Sequence, residues 1–236
     1  MKFEPGKKRY NDYPTFFKTL FEERVQKLSI DGGFTCPNRD GSKGVGGCSF
    51  CNNESFNPDY CRAVRGITEQ IDEGIRFFAR KYKGQRYLAY FQAYSNTYAP
   101  LDVLKLRYEE ALAHPMISGL VIGTRPDVVS EEVLDYLEEL ARRYYVCVEY
   151  GVESVNDTVL RQVNRGHDFA VAEQAIRATA GRGITIGAHL IFGLPGESRE
   201  SMLEGAIRLC ELPIQVLKLH QLQIVKGTRL AEQYLE

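Results

Sequence analysis

Cys36-Pro-Asn-Arg-Asp-Gly-Ser-Lys-Gly-Val-Gly-Gly-Cys48-Ser-Phe-Cys51 gathers three cysteines in one short glycine-rich stretch. It directly follows Val25–Ile30, which reads as a first β-strand. A structural zinc site wants four protein ligands in a closed tetrahedron. A cubane cluster has four irons to ligate, so three thiolates leave one iron with an open position. An open metal position marks chemistry rather than scaffolding. Phe50, between two of the cysteines, and the nearby glycines point to a loop wrapped around something bulky.

Outward from this loop, strand-like and helix-like patterns alternate every 30–40 residues or so, as βα units do. Helical patterns cover Ile67–Lys83, Leu101–Ala113, a segment from the N-cap Ser130 to Arg143, Asp168–Arg182 stopped by Gly183, and Ser198–Cys210. Strand patterns cover Arg86–Tyr94, Ile117–Ile122, Tyr145–Val152, Ile184–Phe192 and Val216–Val225. Six such units predict parallel strands with helical crossovers, an α/β fold closed as a barrel or left as a curved partial (β/α)6 barrel. The site belongs at the C-terminal strand ends, where the cysteine loop lies. The domain reading is a single core over residues 1–236 with an N-terminal extension over residues 1–24. The chain stops soon after strand six, abruptly for this architecture, so a further C-terminal part is expected.

Over 236 residues the net charge is −1, with 44% hydrophobic and 26% charged residues, which gives no global electrostatic case for nucleic acid or membrane. Residues 1–30 and 62–86 are locally basic and Glu131–Glu139 is acidic, patterns that solvated helix faces also produce. No apolar run is long enough for a membrane span, and the first residues do not form a signal peptide. Cys61, Cys147 and Cys210 are scattered without a disulfide framework, which points to a reducing cytoplasm. Cys147 alternates within a buried strand and Cys210 ends an amphipathic helix, so both read as core. A zinc site completed by Cys61 is the alternative to a cluster.

Gly151-Val-Glu-Ser154, Val163-Asn-Arg-Gly-His167, His189-Leu-Ile-Phe-Gly-Leu-Pro-Gly-Glu197 and the Lys226-Gly-Thr228 turn follow the cysteines in order. Together they resemble the radical S-adenosylmethionine (SAM) superfamily, near the branch of oxygen-independent coproporphyrinogen oxidase and the Elp3-like proteins. The likeness runs from about Leu28 to Leu230. Two features depart from the common pattern. Eleven residues separate Cys36 from Cys48, a spacing that resembles the YhcC/YtqA-like subfamily. Gln92-Ala-Tyr-Ser-Asn-Thr97 also stands where relatives carry a glycine-rich turn after strand two.

The resemblance implies a [4Fe–4S] cluster on Cys36, Cys48 and Cys51, and a SAM site that draws on Phe50, Gln92, Tyr94, Ser95, Glu153, Arg165, His189 and Gly193. Phe50 would pack beside adenine, or only within the loop. Glu153 suits ribose hydroxyls and Arg165 the SAM carboxylate; their plainer readings are a helix N-terminal acid and a surface ion pair. His189 is either a ribose contact or a satisfied core histidine. Gly193-Leu-Pro-Gly196 allows close backbone approach, or simply a turn that needs positive φ. Arg125 faces a substrate anion or pairs with Asp127. On strand six, Lys218 and His220 share one face, Gln221 and Gln223 the other, and one of these pairs points into the barrel mouth.

The implied reaction is one-electron cleavage of SAM to a 5′-deoxyadenosyl radical, which abstracts hydrogen from a substrate. It needs an electron donor such as a flavodoxin or ferredoxin and no acid–base pair for the first abstraction. The subfamily points to the side chain of a tRNA wobble uridine. Alternatives are a tetrapyrrole or other small carboxylated metabolite, and a non-catalytic zinc-binding module.

Overall fold

The computed structural model describes residues 10–80 and 85–235. Six strands form one sheet in the order β1-β2-β3-β4-β5-β6, each pair parallel. They are β1 (Arg24–Ile30), β2 (Gln85–Phe91), β3 (Ile117–Thr124), β4 (Tyr145–Glu153), β5 (Thr185–Phe192) and β6 (Val216–Gln221). β1 and β6 do not pair, so the sheet is a curled half-barrel rather than a closed one. The helices are α1 (Tyr13–Leu20), α2 (Ile67–Ala79), α3 (Leu101–Leu112), α4 (Glu131–Ala141), α5 (Asp157–Gln162), α6 (Phe169–Thr179), α7 (Arg199–Cys210) and α8 (Arg229–Leu235).

The side-chain period of two sorts each strand onto two faces. Leu28, Ala89, Leu120, Ile122, Val146 and Val148 pack outward under the helices as the main core. α4 meets them with Val133, Leu134, Leu137 and Leu140, one stripe at helical spacing. Its start is fixed as expected, Ser130 Oγ accepting from the Val133 N–H at 3.3 Å. Asp168 and Ser198 cap α6 and α7, the latter through a capping box with Ser201. The acidic face of α4 is balanced by Arg182, which pairs with Glu131, Asp135 and Glu138. In the basic 62–86 segment, Arg62 pairs with Asp59 and Arg65 with Glu73. The lysines at 2, 7, 8, 81 and 83 lie outside the described residues.

The inner face is layered. At the bottom, Leu88, Tyr90, Val121 and Cys147 pack against Phe17 of α1, with Tyr13, Phe16, Phe21 and Tyr145 around them. α1 thus plugs the end of the half-barrel opposite the cysteine loop. Above this plug lies a polar layer, and above that a cavity.

Several sequence readings need correction. β6 ends at Gln221, not Val225; the Leu222 N–H makes the last bond to β5, at the Phe192 carbonyl, before the Lys226-Gly-Thr228 turn. β2 ends at Phe91, and Tyr94 stands beyond it with φ of 62°. Cys210 is exposed, since Leu209 fills the buried position of that turn. α2 is described as ending at Ala79, and Lys83 lies outside the described residues. α1 lies inside the segment that reads as an N-terminal extension, where no helix is expected from the sequence.

Candidate active site

At the end of the half-barrel opposite the plug, the strand tops surround a cavity of about 630 Å³. Cys36, Cys48 and Cys51 all line it, as do Phe50, Gln92, Tyr94, Ser95, Glu153, Arg165 and His189. Of the candidate site residues, Gly193 alone is not on its wall. Gly193 has φ of 90° and donates its N–H to Met202 Sδ at 3.0 Å, as a turn residue.

The cysteine loop is held from both sides. Asn38 Nδ2 donates to the Asn164 carbonyl at 2.5 Å, and Asn164 Nδ2 donates back to the Gly47 carbonyl at 2.8 Å. Arg39 Nη2 donates to the Cys51 carbonyl at 2.7 Å. The cysteines are free thiols, and burial raises the pKa of Cys51. Among the described residues no three His, Cys, Asp or Glu side chains come together as a site for a single ion. Cys61 is buried away from the cavity wall, its thiol pushed up to about 12 by burial and Asp31.

Arg165 ties the loop to β4. Its Nη1 lies 3.6 Å from Cys48 Sγ, its Nη2 donates to the Gly151 carbonyl, and Nη2 lies 3.7 Å from Glu153 Oε1. Burial opposes its charge, but Cys48 and Glu153 outweigh burial and hold the guanidinium protonated. It is 6% exposed, which removes the surface-pair reading. Glu153 closes β4 rather than opening a helix; Asn156 caps α5 and Asp157 fills its first turn. The ladder shifts register between Gly151 and Glu153, and Glu153 has φ of 69°. Such strain in a non-glycine residue costs about 1–3 kcal/mol and clusters at functional sites. Tyr94 and Asn164, with φ of 62° and 54°, flank the same cavity and loop.

Beneath the thiols lies the polar layer. Glu149, 1% exposed, takes Lys27 on Oε1 and His189 Nε2 on Oε2 at 3.0 Å. Burial pushes its pKa up, yet His189 and Lys27 outweigh it and hold the carboxylate well below its ordinary range. Lys27 also sits over the rings of Tyr13 and Tyr90. His189 is therefore a cavity-wall histidine oriented by a carboxylate. Glu149 and Lys27 escape a motif search. The available signal was a carboxylate in the apolar run Tyr145-Val-Cys-Val-Glu149, since a buried charge requires partners.

Arg125 takes the paired alternative, forking onto Asp127 with Nε–Oδ1 of 2.9 Å and Nη2–Oδ2 of 3.0 Å. Asp127 falls to about 2; burial opposes the shift, and Arg125 and Lys43 outweigh it. On β6 Lys218 and His220 turn inward, and Gln221 and Gln223 of the other pair line the cavity too. The Lys218 ammonium lies over Tyr90, and the His220 ring lies 5.1 Å from that of His189.

This arrangement, a half-barrel with three thiols on the loop after its first strand, defines a class of cofactor-dependent enzymes. The model of the radical SAM superfamily matches residues 36–207, and the chain belongs to that superfamily, whose members are enzymes. It is 43% identical to the Escherichia coli protein YhcC over 90% of this chain and 68% of that protein. It is 37% identical to Bacillus subtilis YtqA over 96% of this chain and 70% of that protein. A more distant relative is the tRNA uridine(34) acetyltransferase of Methanocaldococcus infernus, 27% identical over 54% of this chain and 24% of that protein. The fold is shared with the archaeal Methanocaldococcus infernus Elp3, TM-score 0.65 and 17% identity over 90% of this chain. It is also shared with coproporphyrinogen III oxidase of Escherichia coli, TM-score 0.60 and 17% identity over 95%. The chain spans about half the length of those two solved chains, 49% and 54%.

Proposed function

We propose that Cys36, Cys48 and Cys51 hold a [4Fe–4S] cluster, that the cavity beside them takes SAM, and that the enzyme modifies a tRNA wobble uridine. Convergence of the three thiols on one cavity at the C-terminal strand ends carries this reading. The donor set fits. Soft thiolates suit iron–sulfur clusters, and a cubane spreads its cysteines over separate irons, so it does not need the close grouping that a single zinc ion demands. Polar groups await partners there too: Arg165 Nε and Ser95 Oγ are buried without one.

When bound, the cluster supplies one electron to the SAM sulfonium, giving methionine and a 5′-deoxyadenosyl radical. The chain's own residues bind and orient. Arg165 offers its unsatisfied Nε to the SAM carboxylate, and Glu153 accepts from the ribose hydroxyls. Phe50, packed with Val159, Val163 and Leu194, supplies an apolar flank for adenine. Glu149 fixes the His189 ring beside the ribose. Gln92, anchored by donation to Ser29 Oγ at 2.8 Å, and Tyr94 form the β2 side of the wall. An external donor such as a flavodoxin or ferredoxin supplies the electron.

The wobble-uridine substrate rests on the distant likeness to a protein named for chemistry at tRNA uridine 34. Free cysteines fit a reducing compartment such as the cytoplasm, and among the described residues no helix is long and apolar enough to cross a membrane. The test is protein purified without oxygen. About four irons per chain, and 5′-deoxyadenosine on adding dithionite and SAM, are expected. One zinc, no brown colour and intact SAM would overturn the reading.

A further inference from the structure

The cavity holds more positive charge than SAM binding uses. Arg165 is matched by Glu153 and Cys48, and Arg125 by Asp127. Glu149 is the other carboxylate on the cavity wall, and its two oxygens are taken by Lys27 and His189. Arg39 gives its Nη2 to the Cys51 carbonyl, which leaves Lys218 as the wall cation without a polar partner among the described residues. Its ammonium lines the cavity and rests 5.6 Å from the centroid of the Tyr90 ring, and among the described residues it makes no hydrogen bond or ion pair. Two positions along the same inward face, His220 also lines the cavity and makes no hydrogen bond among the described residues; its ring lies 5.1 Å from the His189 ring.

The register explains how they come together. Lys218 pairs with His189 across β5–β6, and His220 with Ile191. Both β6 side chains therefore stand on the open edge of the half-barrel, on the strand farthest in sheet order from the β1 cysteine loop. The electrostatics agree with an unmatched cationic wall. Burial lowers the Lys218 pKa, and burial, His189 and Lys218 bring His220 down to about 4. At neutral pH His220 is therefore a neutral imidazole with an N–H donor, beside Lys218 on the same wall.

We infer that Lys218 and His220 form an oxyanion subsite for the substrate, binding a phosphate or carboxylate oxygen that the substrate carries into the cavity. A half-buried ammonium without a counter-ion is costly, and an incoming anion relieves that cost. A compact ammonium is a point-charge partner for such an oxygen, and the imidazole N–H adds direction. The assignment rests on the proposed uridine substrate only for the source of the oxyanion: the nucleotide's phosphate, or an acid group on the base.

Calorimetric titration of the full chain with uridine, uridine 5′-monophosphate and 5-carboxymethyluridine tests it. At least one anionic probe is expected to bind about tenfold or more tightly than uridine, by the size of a charge-assisted contact. Lys218→Met is expected to bring the ratio close to one, Lys218→Arg to keep most of it, and His220→Gln to lower it in part. An advantage for the monophosphate assigns the backbone as the source, and one for the carboxymethyl probe assigns the base. An equal affinity for all three in the native chain, or an advantage that survives Lys218→Met, overturns the subsite. Inorganic phosphate provides the control free of nucleoside. If it binds through Lys218 while no nucleoside binds, the uridine reading fails and the subsite stands. If uridine binds and no anion is preferred, the subsite fails and the uridine reading stands.

Discussion

Arg165 joins three things the motifs describe separately: the cysteine loop, the Gly151 carbonyl of β4 and the half-buried Glu153 carboxylate. Removing one member of a buried pair strands the other charge and costs about 3–5 kcal/mol. Arg165→Met and Glu153→Gln should therefore each destabilise the chain by about that much, and the double variant by less than the sum of the singles, in a urea-unfolding cycle. Additive losses would show that the two groups do not interact. Among the cysteines, Cys36→Ala, Cys48→Ala and Cys51→Ala should each lower iron content after anaerobic reconstitution, whereas Cys61→Ala keeps it. Loss of iron in Cys61→Ala would restore the four-cysteine alternative. His167 gives a pH signature. Burial and Arg165 lower its pKa to about 4, and its Nε2 is buried without a partner. The unfolded chain takes up the proton first, so this contribution is complete above about pH 6.5 and is lost as pH falls towards 4. The loss is on the order of 2–3 kcal/mol, and His167→Gln should flatten the urea midpoint over that window by a matching amount. At this scale the three thiols, Glu153, Arg165 and His189 were legible from residue type and motif. Glu149, Lys27 and Asn38 were not, because each matters only through a partner far away in sequence.

Element boundaries follow the same logic. Long amphipathic helices and apolar strands announce themselves by period, and most lie within a few residues of their expected limits. α1, α5 and α8 were missed, being six to eight residues long and too short to show two turns of a pattern. Glycines on the inner face set how closely elements approach. A Cβ at Gly119 would run into the Tyr145 backbone carbonyl, with Tyr145 Cβ at 2.8 Å, and backbone cannot yield. Gly119→Ala should cost about 3 kcal/mol and lower the melting temperature by several degrees. A Cβ at Gly151 would instead crowd Glu153 Oε1 and lie 2.9 Å from Arg165 Nη2, both ends of side chains. Gly151→Ala should thus fold, yet bind SAM about tenfold or more weakly when titrated calorimetrically, the usual scale for a displaced charged contact. Unchanged affinity would separate the β4 bulge from the SAM site.

For the whole molecule, the open half-barrel needs its bottom sealed, and α1 does this with Phe17 against Leu88, Val121 and Cys147. Phe17→Ala should cost about 3–5 kcal/mol, the range for a large aromatic removed from a core, measured as a shift in the urea midpoint at constant slope. A negligible shift would mean that α1 is only laid against the barrel. The sequence by itself determined the βα rhythm, the class of fold and the three thiols that meet on one cavity. Periodicity, caps and soft-ligand chemistry are local properties that one chain carries in order. The tertiary structure decided which polar groups face one another: that Lys27 and His189 share Glu149, that Arg125 turns to Asp127, and that Lys218 and His220 reach the same cavity wall as Gln221 and Gln223. Those outcomes depend on register and curvature across strands up to 122 residues apart, where a shift of one position would send every side chain to the other face.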